Sequence, residues 1–183
     1  MDNGDNYRRF LEGDKEALVE ILTEYNSGLV LFINRITGDI CLSEEIAEDI
    51  FCELLMKKPE YSGKSSFKTW LYSIAKHYAA KRLKYYSRFS DIPVDEHYTL
   101  ADEEDIELNY IKNEQKIILH QALKRIKPEY SQVIYLTFFE GFTNSETAEI
   151  MNKSNRQIEN LIYRAKQALK KELEREEFVY ENV

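Results

Sequence analysis

Apolar side chains recur every three or four residues along most of the chain, a spacing that places them on one face of an α-helix. The longest such stripe covers residues 17–36. It follows Asp14, a good N-cap residue, and stops at Gly38. No stretch shows the strict alternation of apolar and polar positions that is typical of a β-strand. The pattern therefore predicts helices and no sheet.

Two further helices are predicted in the first half of the chain. An apolar stripe over residues 46–55 follows Ser43, which we expect to cap the second helix. A third helix should open at Ser65 or Ser66 and reach about Tyr86. Each of these starts has a side-chain oxygen that can accept a hydrogen bond from a backbone N–H of the first turn.

The second half of the chain begins with a break in this periodicity. Residues 91–105 carry a proline and a run of acids, which is typical of a linker. The helical period resumes near Ile106, and Pro128 is suited to be the first residue of a later helix. The chain is therefore predicted to be all-α, with small helical domains at 1–90 and 106–183 joined by an acidic linker.

The clearest local signal is a pair of capping boxes eleven residues apart. Thr143 can pair with Glu146 in the first box, and Ser154 can pair with Gln157 in the second. Asn152, between them, is suited to a left-handed helix stop. Two short helices joined by a tight turn predict a helix-turn-helix, whose second helix can lie in a DNA major groove.

The second of these helices has one apolar face, which can pack on the first helix, and one polar face. The polar side chains left for solvent or DNA are Arg156, Gln157, Asn160, Tyr163, Arg164 and Lys166. An ordinary helical hairpin shares the caps and the apolar spacing. DNA binding is the favoured interpretation because these side chains can hydrogen-bond to base edges.

The charge distribution supports nucleic-acid binding, although the net charge of −8 argues against it. Residues 64–88 hold seven Lys or Arg and no acid, and residues 153–171 have a net charge of +5. Residues 91–107, between them, hold eight acids and no Lys or Arg. The basic segments can supply phosphate affinity, and the acidic segment needs water or another partner.

Composition excludes several other classes of protein. With 43% hydrophobic and 32% charged residues, the chain is expected to be soluble and globular. No apolar run approaches the roughly 20 residues that span a bilayer, and the acidic N-terminus does not resemble a signal peptide. Cys41 and Cys52 are expected to be free thiols in a reducing cytoplasm. No catalytic constellation, metal site or cofactor motif is predicted.

Two features of the first half point to binding. Cations and aromatic rings are interleaved along the third predicted helix, as in proteins that hold single-stranded nucleic acid. There Trp70 is expected to pack, while Tyr72, Tyr85 or Tyr86 and the lysines face outward. The second predicted helix carries acids one turn apart on one face: Glu45, Asp49 and Glu53. Taken alone, that face would be interpreted as simply solvated.

These motifs resemble those of a known family. The sequences AEDIF at 47–51 and FKTWLYSIAKH at 67–77 are similar to region 2 of bacterial sigma factors. Four later sequences are similar to region 4 of the same proteins: LHQAL at 119–123, FFEGF at 138–142, ETAEI at 146–150 and YRAK at 163–166. The small two-domain form is that of the extracytoplasmic-function group of the sigma-70 family.

The resemblance implies an alternative sigma factor that binds core RNA polymerase and directs promoter recognition, DNA melting and transcription initiation. Glu45, Asp49 and Glu53 would dock on the β′ coiled coil, and the helix-turn-helix domain on the β flap. The −10 element would be held by Lys64, Lys68, Tyr72, Lys76, His77, Lys81, Arg82 and Tyr85. The −35 element would be read by Arg156, Gln157, Asn160, Tyr163, Arg164 and Lys166.

Promoter DNA and an anti-sigma factor are the other partners implied, with no small-molecule substrate and no enzymatic activity of the chain itself. The sequence departs from the family at His77, where Asn is usual, and at Cys52, where Gln is common. Basic residues are also usual near Glu159. Two alternatives stay open: a helix-turn-helix regulator that binds DNA without polymerase, and an all-helical protein-interaction module.

Overall fold

The computed structural model describes residues 4–87 and 114–175, and every regular element within them is helical. The all-α prediction is therefore confirmed for these residues. The linker predicted at 91–105, both proposed domain boundaries and the helix start near Ile106 lie outside them. In chain order, the elements are α1 (Gly4–Leu11), α2 (Lys15–Thr37), α3 (Ile40–Lys57), α4 (Phe67–Tyr86), α5 (Glu114–Arg125), α6 (Pro128–Ile134), a π-helical turn (Tyr135–Phe139), α7 (Asn144–Met151) and α8 (Asn155–Arg175).

Helix α2 begins and ends where its sequence predicts. The Asp14 carboxylate accepts hydrogen bonds from the backbone N–H groups of Glu16 and Ala17, and this satisfies donors that a helix start leaves unpaired. Gly38 ends the helix with φ at 72°, a left-handed conformation that glycine adopts without steric cost. Helix α4 is likewise capped by Ser66, whose hydroxyl accepts from the N–H of Thr69.

The predicted start of α3 at Ser43 is wrong. The helix begins at Ile40, and its N-cap is Asp39, whose carboxylate accepts a hydrogen bond of 2.8 Å from the Leu42 N–H. Ser43 is buried one turn inside the helix, where its hydroxyl donates back to the Asp39 carbonyl oxygen. Because left-handed Gly38 turns the chain directly into a capping aspartate, the new helix starts at once.

Helix α1 has no counterpart in the predicted elements. Its eight residues are mostly polar, but Tyr7 and Phe10 are buried against the rest of the first half. The Tyr7 ring stacks on Phe67 at 5.3 Å and lies 5.5 Å from the Trp70 ring. Trp70 is partly buried in this aromatic cluster, as predicted.

Helices α2, α3 and α4 form the core of the first half, and α5 to α8 pack around the apolar side chains of the second half. The two halves are in contact: α2 packs against α6, and α4 packs against α7. The buried Arg35 side chain crosses this contact and donates a 3.3 Å hydrogen bond to the His120 carbonyl oxygen. One continuous apolar core therefore runs through both halves.

Candidate nucleic-acid interface

The first helix of the helix-turn-helix is held by a complete capping box. The Thr143 N–H donates to Glu146 Oε2 at 3.0 Å, and the Glu146 N–H donates to Thr143 Oγ1 at 3.2 Å. Asn152 ends α7 in the left-handed conformation, with φ at 53° and ψ at 51°. Both predictions are confirmed. The turn into α8 is therefore fixed by local hydrogen bonds and by one residue that tolerates positive φ.

The second capping box is also present. The Ser154 N–H donates to Gln157 Oε1 at 2.8 Å, and the Gln157 N–H donates to Ser154 Oγ at 3.3 Å. The reciprocal bonds fix the first turn of α8, the turn that would enter a major groove. Since Gln157 Oε1 already accepts a bond here, Gln157 is a structural residue as well as a candidate DNA contact.

All six side chains predicted to read the −35 element are exposed on α8. The opposite face of the helix is buried on the rest of the second half through Ile158, Leu161 and Ala165. Besides Gln157, two of the six side chains also have contacts within the chain. Asn160 Nδ2 donates to the Arg156 carbonyl oxygen at 2.9 Å, and Lys166 Nζ lies 4.6 Å from the centre of the Phe138 ring. The helix thus presents a polar face supported by a packed one.

Helix α4 divides the residues predicted to hold the −10 element into two groups. Lys64, before the helix, and His77, Lys81 and Tyr85 on it are exposed, and Arg82 is half-exposed. His77 lines a groove between α3 and α4 together with Trp70 and Tyr78. These side chains are accessible to solvent, and their role at the −10 element stays a prediction.

Tyr72, Lys68 and Lys76 form the second group, and the expectation that they face outward is wrong. Tyr72 is 0% exposed, with its ring 5.3 Å from Phe32 and 5.0 Å from Phe142. Burial, and then the nearby Glu140 carboxylate, raise the pKa of the Tyr72 hydroxyl well above its usual value. The ring is covered by Phe32 of α2 in its own half and by Phe142 of the other half, which packs over this face of α4.

The two lysines are half-buried in the same contact. Lys68 Nζ lies 2.9 Å from Glu140 Oε2 and donates to the Glu140 carbonyl oxygen at 2.7 Å. Lys76 Nζ donates to the Met151 carbonyl oxygen at 2.8 Å, at the C-terminal end of α7, where the helix dipole favours a cation. Burial lowers the pKa of Lys76, and the nearby Lys153 lowers it further.

Glu146 has a second role that its sequence context does not reveal. Its Oε1 accepts hydrogen bonds from the Ser66 hydroxyl at 3.3 Å and the Thr69 hydroxyl at 3.1 Å, both at the start of α4. Burial raises the pKa of this carboxyl, but the bonds from Thr143, Thr69 and Ser66 outweigh that effect, and the pKa lies below its ordinary 4.5. One carboxylate therefore caps α7 and ties it to α4.

The acidic residues of α3 lie beside this region. Glu45 and Asp49 are exposed, and Glu53 is half-buried and pairs with Lys57 at 3.3 Å. Asp49 pairs with Arg82 of α4. The acidic face of α3 and the basic face of α4 therefore adjoin, which the sequence alone did not indicate.

Within the described residues, no group of His, Cys, Asp and Glu is arranged to hold a metal ion. The helices of the same residues include none with the length and apolar character needed to cross a bilayer. Cys41 and Cys52 are both exposed, and neither forms a disulfide.

The sequence of the chain is similar to one protein family and to several named proteins. Residues 116–169 match the family described as sigma-70, region 4. The chain is 26% identical over 163 residues to the RNA polymerase sigma factor YlaC of Bacillus subtilis, a match that covers 87% of this chain and 93% of that protein. It is 25% identical over 175 residues to the RNA polymerase sigma-H factor of Pseudomonas aeruginosa, covering 91% of each.

Two solved structures share the fold. CnrH, solved in complex with the cytosolic domain of CnrY, superposes with a TM-score of 0.66 at 16% identity, covering 94% of this chain and 97% of that one. The sigma factor RpoE of Bartonella quintana, solved with the anti-sigma factor NepR, gives 0.63 at 17% identity, covering 85% and 95%. At these identities the likeness is one of fold, and it extends over both halves of the chain.

Proposed function

We propose that this chain, a member of the extracytoplasmic-function group of the sigma-70 family, acts as an alternative sigma factor that binds core RNA polymerase and directs it to promoters. The observation that carries the proposal is the match of residues 116–169 to sigma-70 region 4. That match coincides with a helix-turn-helix whose second helix exposes six polar side chains. The relatives aligned over most of the chain are themselves named as sigma factors.

The roles divide between the two halves. In the first half, Glu45, Asp49 and Glu53 of α3 dock on the polymerase β′ coiled coil, and α4 with the segment before it holds the opened −10 strand. In the second half, α7 and α8 engage the −35 element and the β flap. Exposure of Glu45 and Asp49 on α3 and of the polar face of α8 supports this division. The domains are those proposed from the sequence, 1–90 and 106–183.

The chain acts in the cytoplasm as a binding factor, and the polymerase supplies the chemistry. An anti-sigma protein is proposed as a further partner, in keeping with the structural neighbour RpoE of Bartonella quintana, which was crystallised with the anti-sigma factor NepR. Docking on polymerase also explains how a chain with a net charge of −8 can bind promoter DNA, because the polymerase then supplies much of the affinity for DNA phosphates.

Run-off transcription tests the proposal. Purified chain and core RNA polymerase are combined with fragments of the source genome, including the region upstream of this chain's own gene. We expect discrete transcripts that depend on the chain and are lost when Asn160→Ala and Arg164→Ala are combined. A polymerase-independent regulator is indicated instead if no such transcripts form and the full-length chain alone binds duplex DNA tightly and specifically in gel shifts.

A further inference from the structure

We propose that Glu159 of α8 selects a cytosine in the −35 element by accepting a hydrogen bond from the cytosine N4 amino group in the major groove. This inference rests on the proposed function, because it names one base that the recognition helix of that function would read. It assigns a role to an acid in a strongly basic segment. Residues 153–171 hold six Lys or Arg, and Glu159 is the one acid among them.

Glu159 lies on the DNA-facing side of α8. It is the fifth residue of the helix, within the N-terminal part of a recognition helix that contacts base edges. Side chains three, four and seven positions apart share one helix face, so Glu159 lies in a row with Arg156, Tyr163 and Lys166. All four side chains are exposed, whereas the adjacent Ile158 is buried. A duplex that meets this row also meets the Glu159 carboxylate.

The Glu159 carboxylate has no partner among the described residues. It takes part in no ion pair and no side-chain hydrogen bond there, although Arg156 is only three positions away. Lys166, on the same face, places its Nζ 4.6 Å from the centre of the Phe138 ring instead. By contrast, Glu174 of the same helix pairs with Lys170 at 3.6 Å. Both oxygens of the Glu159 carboxylate are therefore available to a ligand outside these residues.

The chemistry of a carboxylate restricts the base that it can read. An ionised carboxylate accepts hydrogen bonds and donates none. Phosphate oxygens, guanine O6 and N7, and thymine O4 are acceptors as well, so only the amino groups of cytosine and adenine remain as partners. In adenine the amino group lies beside the acceptor N7, a pair that suits Asn or Gln. Cytosine N4 presents a donor with no acceptor beside it on the same base, so it matches Glu159 best.

The same carboxylate makes the other bases costly. Docking in the groove removes water from it, and a charge that finds no partner there loses its hydration without compensation. Its negative charge also opposes binding to any phosphate backbone, to which Arg156 and Lys166 are attracted. Glu159 therefore gains specificity by excluding wrong bases as much as by binding the right one.

The experiment selects binding sites from a pool of duplexes of random sequence. Holoenzyme formed from the full-length chain and core RNA polymerase binds the pool, and the bound duplexes are sequenced. Glu159→Gln keeps the shape of the side chain but can donate as well as accept, and Glu159→Ala can do neither. The matched control, Glu174→Gln, removes the same charge about 22 Å further along the same helix. Circular dichroism checks that these exposed substitutions leave the chain helical.

We expect the parent to enrich a sequence with cytosine at one position of the −35 element. Glu159→Gln should lower the preference for cytosine at that position by about tenfold and favour adenine, because glutamine can pair with adenine N6 and N7 together. Glu159→Ala should accept all four bases at that position, and Glu174→Gln should enrich the parent's sequence. Identical base preferences in Glu159→Gln and the parent would overturn the proposal. So would tighter binding of Glu159→Gln to every sequence alike, since the carboxylate would then act through its charge alone.

A parallel selection without core polymerase separates this proposal from the proposed function. The full-length chain alone binds the same pool at low salt, where its affinity for duplex DNA is highest. If Glu159→Gln changes the enriched base in this selection and core polymerase adds nothing, the role of Glu159 stands and the sigma-factor role is wrong. If the holoenzyme enriches one sequence with every variant, the sigma-factor role stands and the role of Glu159 is wrong. A parent that enriches no sequence in either selection overturns both.

Discussion

Arg82 of α4 and Asp49 of α3 form an ion pair, although the first is predicted to contact DNA and the second to dock on polymerase. Both side chains are partly exposed, so the pair contributes little to folding. Its importance lies in competition, because a polymerase surface that binds Asp49 must displace Arg82. Docking would then release a cation at the edge of the −10 face.

Replacing Asp49 and Glu53 together by Ala should weaken binding to core RNA polymerase and leave the helical content unchanged. Exposed acids on a helix add little to folding but can contribute strongly at an interface of complementary charge. Co-purification with core polymerase measures the effect. Glu12→Ala combined with Glu16→Ala removes the same charge from exposed positions outside α3 and serves as the control. Unchanged co-purification of the Asp49 and Glu53 variant would show that this face does not dock.

On the recognition helix, Asn160→Ala and Arg164→Ala should each weaken binding of the holoenzyme to the −35 element by about 1–3 kcal/mol. The reason is the loss of a hydrogen-bonding group aimed at a base edge or phosphate. Lys170→Ala removes a similar exposed charge nearer the C-terminal end of α8 and should have a smaller effect. Duplex footprinting gives the affinities. Loss of melting on a pre-opened template in the two variants would contradict the division of roles between the halves.

Lys81→Ala combined with Tyr85→Ala should impair strand opening and single-strand binding, since it removes one cation and one ring from the exposed end of α4. With one fewer phosphate contact, the remaining affinity should fall less steeply with salt than that of the parent chain. Permanganate probing of melted thymines measures the opening step. Lys15→Ala, at an exposed position of α2, is the charge control. Normal melting in the double variant would remove α4 from the −10 assignment.

Tyr7 should make the stability of the first half sensitive to high pH. Its hydroxyl donates a 2.7 Å hydrogen bond to the Pro59 carbonyl oxygen, and burial raises its pKa from 10.0 to about 12. The unfolded chain loses this proton near pH 10 and the folded chain only near pH 12, so stability should fall as the pH rises through this range.

Tyr7→Phe should cost about 1 kcal/mol at neutral pH because it removes the hydrogen bond, and should flatten the decline at high pH. Urea unfolding at several pH values measures both effects. Tyr163→Phe, which changes a tyrosine that is 68% exposed, should leave the pH profile of the parent unchanged. An identical alkaline decline in Tyr7→Phe and the parent would show that another group causes it.

Local chemistry explains most of what the sequence could predict. Helix caps and stops depend on residues within a few positions of one another, so they can be predicted from the sequence. This applies to the caps at Asp14, Thr143 and Ser154 and to the left-handed stop at Asn152. The predicted start of α3 is wrong because Asp39 and Ser43 lie four residues apart, and either can serve as the N-cap before the apolar stripe.

Contacts between distant residues account for the rest. Helix α1 owes its position to Tyr7 and Phe10, which pack against rings far along the chain, and its own sequence is too short to show a convincing period. Tyr72 was expected to face outward because its neighbours in sequence are cations. Its burial comes from Phe32 and Phe142, forty and seventy residues away, and no spacing rule within α4 could reveal either contact.

The π-helical turn at Tyr135–Phe139 changes the direction in which the chain leaves α6 within the second half. A π turn holds one residue more than an α-helix would, and one residue corresponds to about 100° of rotation around a helix axis. Here the turn stacks Phe139 on Tyr135, with ring planes 14° apart, and leaves Phe138 facing solvent over Lys166. Glu140 follows the turn directly and donates its N–H to the Tyr135 carbonyl oxygen. The direction in which Glu140 leaves the helix therefore depends on the one additional residue of the π turn.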